Sequence, residues 1–322
     1  MDSWRSNRLP AEMVERLRVP VMVAPMFRVS CPKLVIAACG AGAAAAFPAA
    51  NARTPTELDS WLEQMSAAAR DAANRPAPHC ANIVTSDPNC ANYVACLVNN
   101  PVEIVITVGS PVPVLDTLHE VGTMVFADVA SVRHARKAIQ AGADGLILLS
   151  AGAGGKTGWL NPFSFVRAVR EFYDGPVILS GGLPDGTALR AAIELGADLG
   201  YMGTKFIAAE ESLATATYRE HLVASNADGV LLTKAFTGLP TNFLRSSVEA
   251  AGLDPENLDE EVTPEIADAV YGAGRAAPGP QRWADVVSAG HSVSGVNVIE
   301  PAAAIVATIE AEFLMRSEST TK

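Results

Sequence analysis

Residues 131–149 read SVRHARKAIQAGADGLILL, and residues 186–204 read GTALRAAIELGADLGYMGT. Each stretch runs through an amphipathic helix, a closing glycine, an Ala-Asp turn and a short apolar strand. Glycine suits the helix end because it takes a left-handed backbone without a Cβ penalty. The strands are apolar throughout rather than alternating, which predicts burial on both faces in a parallel sheet clad by helices.

The same rhythm extends outward in both directions. Strands are predicted at 19–25 (VPVMVAP), 43–49 (AAAAFPA), 79–85 (HCANIVT), 102–108 (VEIVITV), 122–129 (GTMVFADV), 144–150 (DGLILLS), 175–182 (GPVILSGG) and 197–204 (ADLGYMGT). Helices are predicted between them, among others at 56–73, 131–142 and 186–196. Eight strands of this kind predict an α/β (β/α)8 TIM barrel. An open doubly wound sheet is the alternative that the pattern leaves.

The rhythm breaks after residue 207. A helix is predicted over 208–225, followed by a stretch rich in proline, glycine and acidic residues that reads as a lid near the barrel mouth. The expected division is a barrel at 1–207, a lid or substrate subdomain at 208–280, and a segment at 281–322 that returns to the barrel. That last segment closes as a helix with Pro301 in its first turn, and its tail, SESTTK (317–322), is expected to be disordered.

With 322 residues, 49% of them apolar, the chain can bury a large core. Its net charge of −11 argues against a nucleic-acid partner, which would call for a basic footprint. The five cysteines (Cys31, Cys39, Cys80, Cys90 and Cys96) contain no C-x-x-C pair, so neither a disulfide framework nor a zinc site is expected. Reduced thiols, a charged N-terminus without an apolar core and the lack of an apolar run of about 18 residues predict a cytoplasmic protein with no membrane span.

Two glycine-rich stretches imitate nucleotide motifs. SAGAGGKTG (150–158) ends in Gly-Lys-Thr like a P-loop, but Ser150 stands where the first glycine belongs. A P-loop also opens a helix at its lysine, whereas Asn161 and Pro162 predict a later helix start as N-cap and first residue. GAGAAA (40–45) resembles a dinucleotide fingerprint, yet it reads as a helix end leading into a strand.

A better phosphate site lies at the last two strands. LSGGLPDG (179–186) and YMGTKF (201–206) follow strands seven and eight, where barrels commonly hold phosphate. Gly181 and Gly182 would let backbone N–H groups approach, Gly203 and Thr204 would add an N–H and a hydroxyl, and the helix start after PDG would add its dipole. The rest of a mononucleotide would then cross the mouth toward APMF (24–27), ANI (81–83) and SAGAGGK (150–156). A Pro-Met wall and an Asn suit a flat ring with a polar edge, which points to flavin mononucleotide (FMN).

These stretches together resemble the nitronate monooxygenase family, formerly 2-nitropropane dioxygenases. The resemblance runs through LRVPVMVAPMFRVSCPKLVIAACGAGAAAAFPAANARTPTELDSWL, HARKAIQAGADGLILLSAGAGGKTG, the following segment to ESLA, GLPTNFLRSSVEAAGLDP and SAGHSVS, nearly the whole chain. It implies an FMN-binding TIM barrel with an appended mainly α-helical subdomain over the site. It also implies flavin contacts from Ala24, Pro25, Met26 and Asn82, an approach to the flavin or its ribityl chain by Asp128, Ser150, Gly154 and Gly155, and phosphate contacts from Gly181, Gly182, Gly203 and Thr204.

The sequence departs from the family pattern at the chemistry. The family places a histidine after the Gly-Gly pair, the base that takes the α-proton of a nitroalkane; here it is Lys156. Histidines that relatives carry elsewhere correspond to Val84, Thr85 and Ser86, and to Ala127. Of the histidines present, His119 and His134 fall on helices, His79 begins a strand, His221 lies in the predicted helix beyond strand eight, and His291 is the candidate for a substrate or flavin contact. Lysine is normally a cation, so Lys156 acts either as a base whose pKa is lowered or as a cation that stabilises an anion. Lys205 and Lys234 are the candidates for a lowering charge.

Three readings follow for a small-molecule substrate. The first is dehydrogenation or reduction beside a carbonyl, as in an acyl-CoA thioester, which some relatives perform. The second is oxidation of alkyl nitronates with O2. The third is a non-catalytic flavin-binding protein. No metal site is expected, and a homodimer remains open.

Overall fold

The computed structural model describes residues 4–272 and 279–315, so the tail at 317–322 lies outside the described residues. Eight parallel strands close into a barrel: β1 (Val21–Val23), β2 (Ala44–Pro48), β3 (His79–Val84), β4 (Ile104–Val108), β5 (Met124–Val129), β6 (Gly145–Leu149), β8 (Val177–Ser180) and β9 (Leu199–Met202). The ring is sealed by β1 pairing with both β2 and β9. All eight predicted strands are present, and closure of the barrel removes the open-sheet alternative. A two-residue strand, β7 (Gly155–Lys156), lies in the loop after β6 and pairs outside the barrel.

Helices α1 (Ala11–Val14), α2 (Pro32–Gly40), α3 (Pro55–Asp71), α4 (Cys90–Asn99), α5 (Leu115–Glu120), α6 (Val132–Gln140), α7 (Pro162–Arg170) and α8 (Gly186–Leu195) account for the chain up to β9. Their starts are written locally. The side chains of Thr54, Ser131, Asn161 and Asp185 accept backbone N–H groups of the first turns of α3, α6, α7 and α8. Gly196 ends α8 in the left-handed conformation, at φ 112°. GAGAAA is the end of α2 and the start of β2, and Lys156 opens no helix.

Two apolar layers follow from strand alternation. Outward residues such as Val105, Val125 and Leu148 pack under the helices. Inward residues (Met22, Ala46, Cys80, Ile106, Phe126, Ile147, Ile178 and Leu199) fill the barrel, and Leu9, Met13, Val14 and Leu17 plug its N-terminal end. The Phe126 ring occupies the space over Gly145, its partner on the next strand; a Cβ on Gly145 would stand 2.6 Å from the ring. Phe126→Ala should therefore cost about 3–5 kcal/mol in a denaturant titration, the usual cost of emptying a buried aromatic site.

After β9 the prediction of one helix over 208–225 needs correction. Helix α9 (Thr204–Ile207) ends early, and α10 (Ala216–Val223) starts only after Thr215 caps it. The chain then forms the hairpin β10 (Val230–Thr233) and β11 (Thr241–Leu244), whose second strand also pairs with β7. Helices α11 (Arg245–Ala250) and α12 (Pro264–Tyr271) complete the addition, which is a mixture of short helices, a hairpin and irregular chain rather than the mainly helical subdomain expected. A small aromatic core holds it together, with Phe243 stacked on Trp283 at 5.2 Å and Phe236 edge-on to Phe243 and Tyr271. Helix α13 (Ala302–Leu314) follows Pro301 and packs against α8 and α2, where it closes the helical ring. Among the described residues, no helix is long and apolar enough to cross a membrane.

Candidate functional site

Strand alternation builds the floor of the site. Two residues beyond each inward core position, the next inward side chain reaches the C-terminal mouth. Met22 leads to Ala24, Ala46 to Pro48, Cys80 to Asn82 and Ile106 to Val108. Phe126 leads to Asp128, Ile147 to Leu149, Ile178 to Ser180 and Leu199 to Tyr201. All eight of these mouth residues line one cavity of about 420 Å³, a size suited to a small ligand.

The loops raise its walls. After β1, Pro25, Met26, Phe27 and Val29 form an apolar side. Asn51 fixes that loop by donating to Met26 O (3.0 Å) and Ser30 O (2.8 Å), while its Oδ1 accepts from Arg28 N (2.9 Å). Gly181, Gly182, Gly203 and Thr204 lie together on another side. Gly182 has φ 69° and no heavy atom within 4 Å of where a Cβ would stand, so it leaves open space at that turn. The Thr204 hydroxyl accepts from Gly290 N at 3.0 Å and so ties this wall to the C-terminal segment.

The expected dipole contribution after PDG is not available to the cavity. Asp185 accepts from Ala188 N at 2.8 Å and Glu312 accepts from Gly186 N at 2.9 Å, so protein carboxylates occupy the start of α8.

The SAGAGGKTG loop is clamped between the barrel and the appended segment. Lys156 pairs with Thr241, and Gly155 with Asn242. Gly155 N donates to Ser288 Oγ (2.6 Å), which donates to Asn242 O (2.7 Å), and Asn242 Nδ2 donates to Ala153 O (2.7 Å). Gly154 lies so close to Gly290 that a Cβ would stand 2.9 Å from its N; its lack of a side chain serves packing, and Gly155 is the open position of the pair.

Lys156 lines the cavity from its rim, where the residue is exposed. The protein crowded around its ammonium and, secondarily, the Arg282 guanidinium lower its pKa from the ordinary lysine value. Arg282 thus takes the part expected of Lys205 or Lys234. Lys205 is instead spent on the carbonyls of Gly295 (2.8 Å) and Pro184 (3.3 Å).

Two polar atoms in the floor are buried without a hydrogen-bond partner: Asp128 Oδ1 and the Tyr201 hydroxyl. Burial pushes the Asp128 carboxyl up to about 7 and keeps the Tyr201 phenol protonated. Oδ1 is sealed, whereas the rest of Asp128 faces the hollow. Sequence reading missed Tyr201 and Leu149, although the inward parity of their strands marks both. It also missed Tyr218, Trp283 and Ser288, which line the cavity from the appended segments and carry no local signal of doing so.

Twelve of the fourteen proposed site residues line this cavity, Lys156 among them. Ser150 does not. It follows inward Leu149, so it points out of the barrel, and its hydroxyl donates to Ser180 O at 2.6 Å. His291 does not line the cavity either; its exposed ring packs over Gly152, while Ser292 takes the lining position. Of the positions that the resemblance expects to hold histidine, Val84 and Lys156 line the cavity, whereas Ala127 faces the helical layer. His79 begins β3 with Nε2 buried and unpartnered, His119 bonds Asp144 at 2.8 Å, and His221 bonds Ser246 at 2.9 Å, all away from the cavity.

The resulting hollow has an open glycine turn at one side, an apolar wall, unpartnered polar groups in the floor and one ammonium at the rim. It suits a flat ligand with hydrogen-bonding edges and an anionic tail.

A family model described as nitronate monooxygenase matches residues 12–312. A nitronate monooxygenase of Paraburkholderia phytofirmans is 27% identical over 208 residues, covering 62% of this chain and 57% of that relative. A Mycobacterium tuberculosis protein named (3aS,4S,5R,7aS)-5-hydroxy-7a-methyl-1-oxo-octahydro-1H-indene-4-carboxyl-CoA dehydrogenase is 31% identical over 134 residues, covering 41% of this chain and 38% of that relative. The chain thus spans about half the length of these curated relatives, or less. The solved structure of FabK from Thermotoga maritima matches 95% of this chain and 96% of its own, with a TM-score of 0.74 and 27% identity. The fold is shared with nitroalkane oxidase from Streptomyces ansochromogenes, at a TM-score of 0.73 and 23% identity over 94% of this chain and 98% of that one.

Proposed function

The chain belongs to the nitronate monooxygenase family, whose proteins are flavin enzymes, and from that premise we propose an FMN-dependent oxidoreductase acting beside a carbonyl, with an acyl-CoA thioester as substrate class. The observation that carries this reading is Lys156, the sole cation lining the cavity among the described residues. The name of the Mycobacterium tuberculosis relative, a CoA-ester dehydrogenase, supports the substrate class.

Gly181, Gly182, Gly203 and Thr204 would hold the FMN phosphate. Ala24, Pro25 and Met26 would wall the ring, and Asn82, Asp128, Gly154 and Gly155 would meet its polar parts. When bound, the flavin supplies a two-electron acceptor or donor. Lys156 then has one of two tasks at its Nζ. As the free amine it takes the proton from the carbon next to the carbonyl; as the ammonium it pairs with the enolate oxygen. The lid at 208–280 would keep water from that proton transfer, with Tyr218 beside the ligand. Residues 281–322 would return the chain to the barrel, as the packing of α13 supports. Five free thiols support a cytoplasmic setting.

The two tasks predict opposite pH profiles. If Nζ is the base, turnover rises with pH through its lowered pKa; if it is the paired cation, turnover falls through the same point. Arg282→Met removes a like charge and should move that midpoint upward in either case. A midpoint that stays in place would separate the profile from Lys156.

A second reading is oxidation of alkyl nitronates with O2. It is favoured by the same ammonium, because a preformed nitronate is an anion and needs no base, and by the relatives' name. FMN-loaded protein should be mixed with propionate-3-nitronate in air and, separately, with acyl-CoA thioesters and NAD(P)H without oxygen. Bleaching of the flavin by a thioester or NAD(P)H, without oxygen uptake on the nitronate, supports the first reading. Oxygen uptake supports the second. A protein that remains colourless with added FMN would remove the cofactor assignment.

A further inference from the structure

The floor of the cavity holds two polar groups that the protein leaves unsatisfied. Asp128 and Tyr201 come from β5 and β9, both from the inward series, and Asp128 Oδ1 and the Tyr201 hydroxyl are sealed from solvent without a partner. They lie near enough for the Asp128 charge to act on the phenol, yet no hydrogen bond joins them. Buried polar groups are ordinarily satisfied, so a carboxyl with one oxygen sealed and unpartnered and the rest of the side chain open to the hollow marks a place where a ligand completes the bonding.

We propose that Asp128 binds the flavin as the neutral acid, donating its carboxyl hydrogen from the open side of the group to an acceptor atom of the flavin, so that loading the protein takes up one proton. The proposal rests on the reading that a flavin fills this cavity. The balance is simple. The Asp128 carboxylate takes a proton from solvent, an O–H bond forms, and no electrons move.

The surroundings favour this state. The adjacent strands β4 and β6 present Val108 and Leu149 to the cavity, which are apolar. Cys80, across on β3, is kept a neutral thiol by burial, and Tyr201 is neutral as well. Tyr218, Trp283, Ser288 and Ser292 on the appended segments add no charge. Among the described residues Lys156 is the only cation lining the hollow, and no ion pair joins it to Asp128. Flavin rings present carbonyl oxygens and ring nitrogens as acceptors, which a carboxylate would repel and a carboxylic acid can bond. Burial already brings the Asp128 pKa to about 7 before any ligand arrives.

The test is the FMN dissociation constant of the full-length apoprotein from pH 7 to pH 9, read by flavin fluorescence, with riboflavin in parallel. This range lies above the second phosphate ionisation near ~6, and riboflavin lacks the phosphate altogether. The expected result is weakening of both ligands by roughly 50-fold across the range, with about one proton taken up per flavin in calorimetry at pH 8 in two buffers of different ionisation heat. Asp128→Asn keeps the shape and cannot titrate, so it should bind at pH 7 within a few-fold of the native protein and lose the pH slope. A flat native profile without proton uptake, or an Asn variant that keeps the slope, would overturn the proposal while leaving the flavin reading in place. Absence of flavin binding at every pH would overturn both. Should the Asn variant fail to fold, the proton count on the native protein decides the matter.

Discussion

Replacing Lys156 with alanine is expected to cut turnover by about 100-fold or more while the flavin remains bound. The magnitude is that of losing a positioned acid–base group or a charge held at a developing anion. The expectation rests on how firmly the lysine is placed. Its backbone pairs with Thr241, the preceding residue is held by Ser288, and its side chain lines the rim of the cavity. The wall proposed for the phosphate lies elsewhere, so flavin absorbance should survive the change and serve as the folding control. Unchanged turnover in the Ala variant would exclude a catalytic role for Lys156. The companion change, Lys156→His, supplies an imidazole that is a base near neutral pH. It should raise oxidation of neutral nitroalkanes, measured as oxygen uptake. A lysine serving only as surface charge would give neither result.

A second large effect is expected at the wall proposed for the phosphate. Gly182→Asp should weaken FMN binding by about 100-fold or more at low salt, and riboflavin binding much less. Aspartate tolerates the left-handed backbone better than most residues, so the fold should survive. Gly182 has φ 69° and open space where the new side chain would extend. A carboxylate there meets a phosphate of the same sign, and two unit charges about 4 Å apart near a protein surface repel by roughly 4 kcal/mol. Riboflavin is the control because it carries no phosphate. Equal losses for both ligands would show that the phosphate lies elsewhere.

Much of this architecture is legible in the linear chain. The strands are mainly apolar runs, β6 and β9 are each entered through a Gly-Ala-Asp turn, and β4, β8 and β9 are followed by glycine; these local signals survive folding because burial on both faces demands them. The parity of each run also decides which residue reaches the mouth. That rule finds Tyr201 and Leu149 and rejects Ser150 and Ala127, all four by counting from a core residue. What stays hidden depends on distant partners. β7 has two residues and no periodicity, so nothing local announces its pairing with β11. The influence of Arg282 on Lys156 spans more than a hundred residues of chain. Glu312 fills the start of α8 from the far end of the sequence, which overrides the local expectation of a dipole aimed at phosphate. The stretch at 208–215 has helix-forming residues, yet Ser212 turns it by donating to Ile207 O, a local alternative to the helical ladder.

The short pairing of β7 with β11 has a practical consequence for protein engineering. The address of Lys156 is written in three separate places: its own loop, Asn242 on β11, and Ser288 in the returning segment. Transplanting SAGAGGKTG alone into a related barrel would carry the lysine without the partners that aim it. A working chimera would have to exchange 150–158, 241–244 and 288 as one block, and natural recombination between relatives faces the same restriction.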